Sequence, residues 1–190
     1  MKTADRDRVA HDGAGKSGPS ALARLSSRIK RYLILPLIFL SLASSPSFSV
    51  ESNKGWAAYE RGDYATALRE WRPLAEQGNA DAQFNVGHMY EFGKGVPQNY
   101  DAAVNWYRLA AEQGVAKAQF NLALVYDLGK GVPQDYNVAV KWYRLAAEQG
   151  VAEAQHNLGL MYRIGRGVPQ DYKAAEKWLR LAAEQGYALA

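Results

Sequence analysis

The feature that most constrains the fold is a 36-residue segment that the chain repeats three times. The phrase Ala-Glu-Gln-Gly recurs with its glutamates 36 residues apart, at Glu76, Glu112, Glu148 and Glu184. Residues 79–114 match residues 115–150 at 24 of 36 positions, and residues 115–150 match residues 151–186 at 25. A period of this length is typical of solenoids, in which each unit buries its apolar face only against its neighbours.

Each repeat is predicted to contain two helices, A and B. Helix A is predicted over Ala80–Phe92, Ala116–Leu128 and Ala152–Ile164. It is expected to end at a glycine that tolerates a positive φ angle, which is Gly93, Gly129 or Gly165. A loop with Val-Pro at its centre follows, and Asn99, Asp135 or Asp171 is then expected to cap helix B. The prediction is therefore an all-α fold, an α/α solenoid of stacked helix pairs.

Aromatic residues recur at fixed positions of both helices. Tyr90, Tyr126 and Tyr162 on helix A are expected to supply buried bulk. The tryptophans on the apolar face of helix B are interpreted as core between repeats rather than as a ligand-stacking ladder, and they are Trp106, Trp142 and Trp178. Arg108 and Glu112, with their copies, are expected to form surface i, i+4 ion pairs.

The repeats have distinct flanks on both sides. Residues 53–78 form a shorter predicted helix pair, in which Gly62 breaks the pattern and Asp63 caps the second helix, so this pair is interpreted as an N-terminal cap. Three full units follow at 79–114, 115–150 and 151–186, and then a stub at 187–190. The stub either folds over the last unit or leaves an apolar end that permits self-association.

Residues 1–50 differ from the rest of the chain in charge and hydropathy. They hold eight Lys/Arg and three Asp/Glu, whereas residues 51–190 hold 15 basic and 16 acidic residues. A basic flank, an apolar run over 32–42 and a small-x-small site at 47–49 predict a secretory leader. The protein is therefore expected in the periplasm or secreted, or else anchored in the membrane by an uncleaved leader. The balanced charge of the body argues against nucleic-acid binding.

The recurring pattern as a whole resembles a known repeat family. The residues A-x-A-Q-x-N, then G-x-G-V-P-Q-x-Y, then W-x-x-L-A-A-E-Q-G are similar to the Sel-1-like repeat, a relative of the tetratricopeptide repeat. This resemblance implies a right-handed α-solenoid that acts as an interaction scaffold. Cysteine-rich members are linked to penicillin binding and β-lactamase activity, but they carry a disulfide in each repeat and this chain has no cysteine.

The side chains available for catalysis are few. After residue 50 the chain has one serine, Ser52, one threonine, Thr66, and two histidines, His88 and His156. The histidines occupy different repeat positions, so stacking does not bring them together. We therefore predict a non-catalytic protein with no metal or cofactor, and a cell-wall or β-lactam hydrolase is the alternative.

The candidate binding surface is a stripe on helix A, which the similarity to tetratricopeptide arrays implies lines the concave face of the solenoid. Positions along it differ between otherwise constant repeats, which favours a role in recognising an unidentified protein or peptide. Asparagine recurs within the stripe and would either bind an extended peptide backbone or fix one repeat on the next. The predicted groove residues are Asp81, Asn85, His88, Lys117, Asn121, Leu124, Glu153, Asn157 and Leu160.

Overall fold

The computed structural model describes residues 54–187, which belong to one compact unit. This part of the chain contains helices and no strands. Helix α1 covers residues 54–60. The others are α2 (Tyr64–Glu76), α3 (Ala80–Phe92), α4 (Tyr100–Glu112), α5 (Ala116–Leu128), α6 (Tyr136–Glu148), α7 (Ala152–Ile164) and α8 (Tyr172–Glu184).

Local signals set the ends of these helices. Asn99 accepts a hydrogen bond from the Ala102 amide at 2.9 Å, and Asp135 and Asp171 cap α6 and α8 in the same way. Each helix A ends at a glycine in the left-handed region, with φ of 64° at Gly93. The predicted bounds of all three A helices are confirmed, although only the first has a side-chain cap at its start, Asn79.

Each helix packs most extensively on the helices before and after it in sequence. The core therefore runs as a series of clusters along the stack, built around Trp71, then Tyr107, then Tyr143. Trp106, Trp142 and Trp178 are half-buried and pack against these clusters, so their interpretation as core between repeats is confirmed. The predicted all-α helical-repeat solenoid is thus the observed architecture.

Two expectations about side chains are confirmed only in part. Tyr90, Tyr126 and Tyr162 pack against the core clusters but are half-buried, whereas the fully buried tyrosines are Tyr107 and Tyr143 on helix B. Arg108 does not pair with Glu112 but donates to the Tyr126 hydroxyl at 3.2 Å, and Arg144 donates to Tyr162 at 2.6 Å. An arginine on helix B reaches the next helix A wherever another repeat follows. Only Arg180, on the last described helix, pairs with its i+4 glutamate, Glu184, at 3.7 Å.

The Gly-x-Gly loop of each repeat rests on the preceding unit. A Cβ atom added to Gly131 would lie 2.6 Å from the Tyr100 carbonyl carbon, and φ there is +70°. The basic residue between the two glycines lies over a tyrosine ring of the same preceding unit, as Lys130 does over Tyr100 at 5.7 Å. The constant loop residues are therefore explained by contact between repeats.

Two constant glutamines per repeat also connect the helices. Gln119 donates to the Ala111 carbonyl at 3.1 Å and accepts from Gln149 at 2.7 Å. Gln149 donates in addition to the Gly114 carbonyl at 3.1 Å. The buried Ala111 carbonyl at the end of one helix B is thereby satisfied by the next repeat, which avoids a cost of about 1–3 kcal/mol for an unpaired group.

The predicted leader at 1–50 lies outside the described residues, as do residue 53 of the predicted cap and residues 188–190 of the stub. Within residues 54–187, no helix is both long enough and apolar enough to cross a bilayer. In the cap, Asp63 accepts a hydrogen bond from the Thr66 amide at 3.1 Å, as expected for the start of α2. Tyr187 packs edge-on against His156, with ring centroids 5.4 Å apart.

Candidate functional site

An apolar groove of about 650 Å³ crosses the three A helices, α3, α5 and α7. We call it the helix-A groove. Its lining residues are Phe84, His88, Glu91, Phe92, Lys117, Phe120, Asn121, Leu124, Gly150, Val151, Ala152, Glu153 and Gln185. Helix A contributes to it from every repeat because the 36-residue period brings equivalent helix faces side by side.

The groove contains five of the nine residues predicted from the sequence. His88, Lys117, Asn121, Leu124 and Glu153 line it. The other four, which are Asp81, Asn85, Asn157 and Leu160, do not contribute to its lining. Asp81 is exposed, Asn85 is buried, and Asn157 and Leu160 are half-buried.

The apolar part of the groove was only partly anticipated. Phe84 and Phe120 lie at one repeat position, and Phe120 packs against Tyr143 with ring centroids 5.9 Å apart. Phe92, at the end of α3, is 55% exposed. The signal for Phe84 was available, since the same position holds His156 in the third repeat and therefore also differs between copies.

His88 sits in an aromatic surrounding at one end of the groove. Its ring lies 4.5 Å from that of Phe92, and its Nδ1 atom is 3.4 Å from the Tyr59 hydroxyl. Burial lowers the pKa of His88, and the charge of nearby Lys94 lowers it further. His88 is therefore a neutral hydrogen-bonding group around pH 7 rather than a cation.

The Glu91 carboxylate is hydrogen-bonded within the core and is not available to the groove as a free charge. The Tyr107 hydroxyl donates to its Oε2 atom at 2.6 Å, and both residues are buried. Burial raises the pKa of Tyr107, and the Glu91 carboxylate raises it further. This carboxylate therefore has its partner inside the protein.

The repeated asparagines contact the preceding repeat. Asn121 hydrogen-bonds to the Tyr107 hydroxyl, and Asn157 does the same to Tyr143, in each case lowering a tyrosine pKa that burial raises. The third asparagine, Asn85, lies at the position for which the preceding aromatic residue is Trp71. For Asn121 and Asn157 these contacts support the stacking role, while Asn121 also reaches the groove.

Two further observations concern titratable groups of the described segment. Among residues 54–187 no cluster of three His, Asp or Glu side chains has the arrangement needed to hold a metal ion. His156, in the third repeat, is buried, and its Nε2 atom has no hydrogen-bond partner among the described residues.

Paired helices stacked in register, with a groove across every second helix, define a helical-repeat scaffold. The Sel1 repeat model matches residues 80–115, 116–151 and 152–187, which is more than half of the chain. The chain belongs to the Sel1 repeat family. Proteins of this family are generally non-catalytic scaffolds that mediate protein–protein interaction.

Solved structures agree with this assignment. A Sel1 repeat protein from Oxalobacter formigenes is 42% identical over 71% of this chain and 56% of its own, with a TM-score of 0.69. The protective antigen c5321 of uropathogenic Escherichia coli, which displays an SLR fold, is 36% identical over 88% of this chain and 34% of its own, with a TM-score of 0.70. This chain therefore spans about half and one third of the lengths of these two proteins.

A more distant structure is similar in fold alone. Helicobacter pylori cysteine-rich protein B is 21% identical over 65% of this chain and 89% of its own, with a TM-score of 0.51. A search of curated proteins gave no match.

Proposed function

We propose that this protein is a non-catalytic scaffold that binds a protein or peptide partner in the helix-A groove. The observation that carries the proposal is the groove itself, which joins aromatic and aliphatic side chains from three repeats to polar groups at its edge. Concave surfaces built in this way are the usual binding faces of solenoid proteins. Membership of the Sel1 repeat family supports the same function.

The distribution of constant and variable residues supports the groove as the binding surface. Constant residues such as Gly131, Gln119 and Tyr143 make contacts between repeats. Among the groove residues, His88 has leucine as its equivalent in both later repeats. Lys117 has an acidic residue as its equivalent in the first and in the third repeat. A binding role is therefore assigned to positions that stacking does not require to be constant.

Export is part of the proposal. The leader pattern at 1–50 supports delivery to the periplasm or the medium, with cleavage near residue 50. N-terminal sequencing of the protein recovered from the envelope fraction tests this, and a cytoplasmic protein that keeps its first 50 residues would contradict it.

The binding face is tested by two substitutions at equivalent positions of neighbouring repeats. Phe92 lines the groove and is 55% exposed, whereas Leu128, one repeat later, is 50% exposed and does not line it. Phe92→Asp is expected to reduce capture of partners from the native envelope at least about tenfold, since a lost buried aromatic contact costs about 1.4 kcal/mol or more. Leu128→Asp is the control and should capture as the wild type does.

Both variants place the same charge at an exposed helix end, so circular dichroism should show equal helical content. Equal capture by wild type and both variants would contradict the groove as the binding site. Equal loss in both variants would point to a general surface effect and would contradict it as well.

A further inference from the structure

The B helices carry a stripe of residues that packs towards the next repeat. It consists of four positions spaced i, i+4, i+7 and i+11, which lie on one face of a helix. In α4 and α6 the last three of these positions belong to core clusters that include the following A helix. None of the stripe residues of α4 and α6 is exposed. They are Tyr100, Val104, Tyr107 and Ala111 in α4, and Tyr136, Val140, Tyr143 and Ala147 in α6.

In α8 the same stripe is open to solvent. Tyr172 is 67% exposed, and Glu176 and Ala183 are exposed as well, whereas their counterparts Val140 and Ala147 keep only 3% and 2%. We call these residues the α8 stripe, which consists of Tyr172, Glu176, Leu179 and Ala183. The α8 stripe continues the series of interfaces between repeats, so a helix packed on it uses a surface that the fold already uses twice.

The α8 stripe differs from its copies in carrying a charge. Glu176 occupies the position of a valine in α4 and α6, and Arg180 borders the stripe one helical turn later. The equivalent arginines, Arg108 and Arg144, donate to a tyrosine of the next A helix. Arg180 instead lies 3.7 Å from Glu184, and both side chains are more than 60% exposed. Exposed pairs of this kind are weak, so Arg180 is available to another carboxylate.

An acid and a base on one stripe can pair with the same two residues of a second copy. When two identical helices pack antiparallel about a two-fold axis, each residue ahead of the axis faces one that lies equally far behind it. An axis that crosses α8 at residue 178 therefore places Glu176 of each copy opposite Arg180 of the other. Parallel packing would place Glu176 on Glu176 and Arg180 on Arg180, where like charges repel. The charges thus favour the antiparallel arrangement.

We propose that the protein forms a symmetric dimer in which the α8 stripes of two copies pack antiparallel, with Glu176 of each copy paired to Arg180 of the other. Leu179 lies between these two residues along the helix and supplies the apolar contact at the axis. Two-fold symmetry closes the assembly, so association stops at the dimer. No residue of α8 lines the helix-A groove, so this inference does not depend on the proposed function.

The dimer is expected to be weak. A single pair of 13-residue helices forms a small contact beside the roughly 1,200–2,000 Å² of total surface that stable interfaces bury. We therefore expect a dissociation constant of about 10–100 μM, the range of weak and transient complexes. Because two exposed ion pairs contribute, added salt should weaken the association.

The test is sedimentation equilibrium of protein purified from cells that express the full-length chain. Wild type should pass from monomer to dimer between about 5 μM and 1 mM. Glu176→Arg and Arg180→Glu each create like charges in both pairs and should weaken association at least tenfold. An equimolar mixture of these two variants should associate as wild type does, because the two bases of one copy then face the two acids of the other. The double variant, Glu176→Arg with Arg180→Glu, should also dimerise.

The matched controls are Glu148→Arg and Lys141→Glu, the same kinds of charge change at exposed positions of α6, and they should leave association unchanged. Circular dichroism of each variant checks that its helical content equals that of wild type. A monomer at every concentration overturns the inference. Association that is insensitive to both single variants, or that grows beyond the dimer, overturns it because the contacts then lie elsewhere. A mixture that associates no better than its components overturns the pairing of Glu176 with Arg180.

Discussion

At the scale of single residues, the third repeat differs from the others at a buried position. Phe84 and Phe120 have His156 as their counterpart, and the His156 Nε2 atom has no hydrogen-bond partner. A buried polar atom left in this state costs about 1–3 kcal/mol. Burial lowers the pKa of His156, and the positive charge of Arg163 lowers it further.

We predict that His156→Phe, which restores the residue of the other two repeats, raises the free energy of unfolding by about 1–2 kcal/mol at pH 7. The effect should grow in acid. The pKa of His156 in the folded state lies below its unfolded value of 6.5. Below pH 6.5 the unfolded chain therefore binds a proton at His156 more readily than the folded chain does. The free energy of unfolding of the wild type should therefore fall as the pH drops through and below 6.5. The same drop in pH should reduce the free energy of unfolding of His156→Phe by a smaller amount.

Urea denaturation of both proteins between pH 5 and 8 measures this difference. His88 remains in both and also has a lowered pKa, so its contribution cancels in the comparison. Parallel curves across the pH range would show that His156 is not held neutral by the fold.

The hydroxyl of Tyr107 offers a second test at this scale. In Tyr107→Phe the buried Glu91 carboxylate loses its 2.6 Å hydrogen bond, so we expect a loss of about 1–3 kcal/mol in the free energy of unfolding. Tyr143→Phe is the matched control. Its hydroxyl donates at 3.2 Å to Asp127, which is half-buried and can be hydrated, so its loss should stay below about 1 kcal/mol.

Chemical denaturation of the two variants ranks the two hydrogen bonds. A larger loss in Tyr143→Phe than in Tyr107→Phe would contradict the importance of burial at Glu91. The third repeat has no equivalent hydrogen bond, because Arg163 stands at the position of Glu91 and Leu179 at the position of Tyr107.

At the scale of the element, the Gly-x-Gly loop is the joint between repeats. We predict that Gly131→Ala destabilises the fold by at least about 2 kcal/mol more than Gly150→Ala does. Both glycines have positive φ, +70° and +89°, so both variants carry the left-handed strain of about 1–2 kcal/mol. Only at Gly131 would the new Cβ also meet the backbone of Tyr100, at 2.6 Å, whereas Gly150 has nothing within 4 Å.

Thermal and urea unfolding followed by circular dichroism give the two losses. Equal destabilisation would mean that the loop can move away from Tyr100 without cost. The close approach of loop and helix start would then contribute nothing to the stack.

Helix bounds could be predicted from the sequence because their signals are local. A cap such as Asp135 and a terminating glycine such as Gly129 act within one turn of the helix they limit. The neighbours of Arg108 could not be predicted in this way. The repeat pattern says that this residue recurs but not that its side chain crosses to Tyr126 on the next helix.

The groove was predictable to the extent that it follows helical periodicity. Positions such as His88 and Leu124 were found because the A helices carry them on one face. Asn85 follows the same periodicity but is buried and does not line the groove. Gln185 was missed because it reaches the groove from the end of a B helix, which depends on how the helices are stacked.

At the scale of the whole molecule, each interface is a copy of the one before it. Gly95 lies on Tyr64, Gly131 on Tyr100 and Gly167 on Tyr136, and every member of this series is displaced by 36 residues. The glutamine contacts follow the same step, with Gln113 donating to Gln83 at 2.7 Å and Gln185 to Gln155 at 2.8 Å. The stability of such an array is approximately a sum of repeat and interface contributions.

We therefore predict that deleting residues 115–150 gives a shorter protein that still folds. After this deletion α7 would follow α4, and it carries most of the contact residues that α5 presents in the intact chain, with Met161 in place of Val125. Gly167 would rest on Tyr100, and Tyr162 would accept from Arg108, as their counterparts do now. Circular dichroism should show cooperative unfolding. The free energy of unfolding should depend less steeply on urea concentration than in the intact protein, since less surface is exposed on unfolding.

The matched control is a deletion of residues 124–157, which removes almost the same length but joins the first part of α5 to the last part of α7 out of register. The joined helix has two residues more than the other A helices, so the positions after the junction are turned by about 200° and their apolar side chains face solvent. This variant is expected to unfold without cooperativity or to aggregate. If both deletions fold equally well, the contacts between repeats are not specific; if neither folds, the middle repeat is required as such, and stability does not add along the stack.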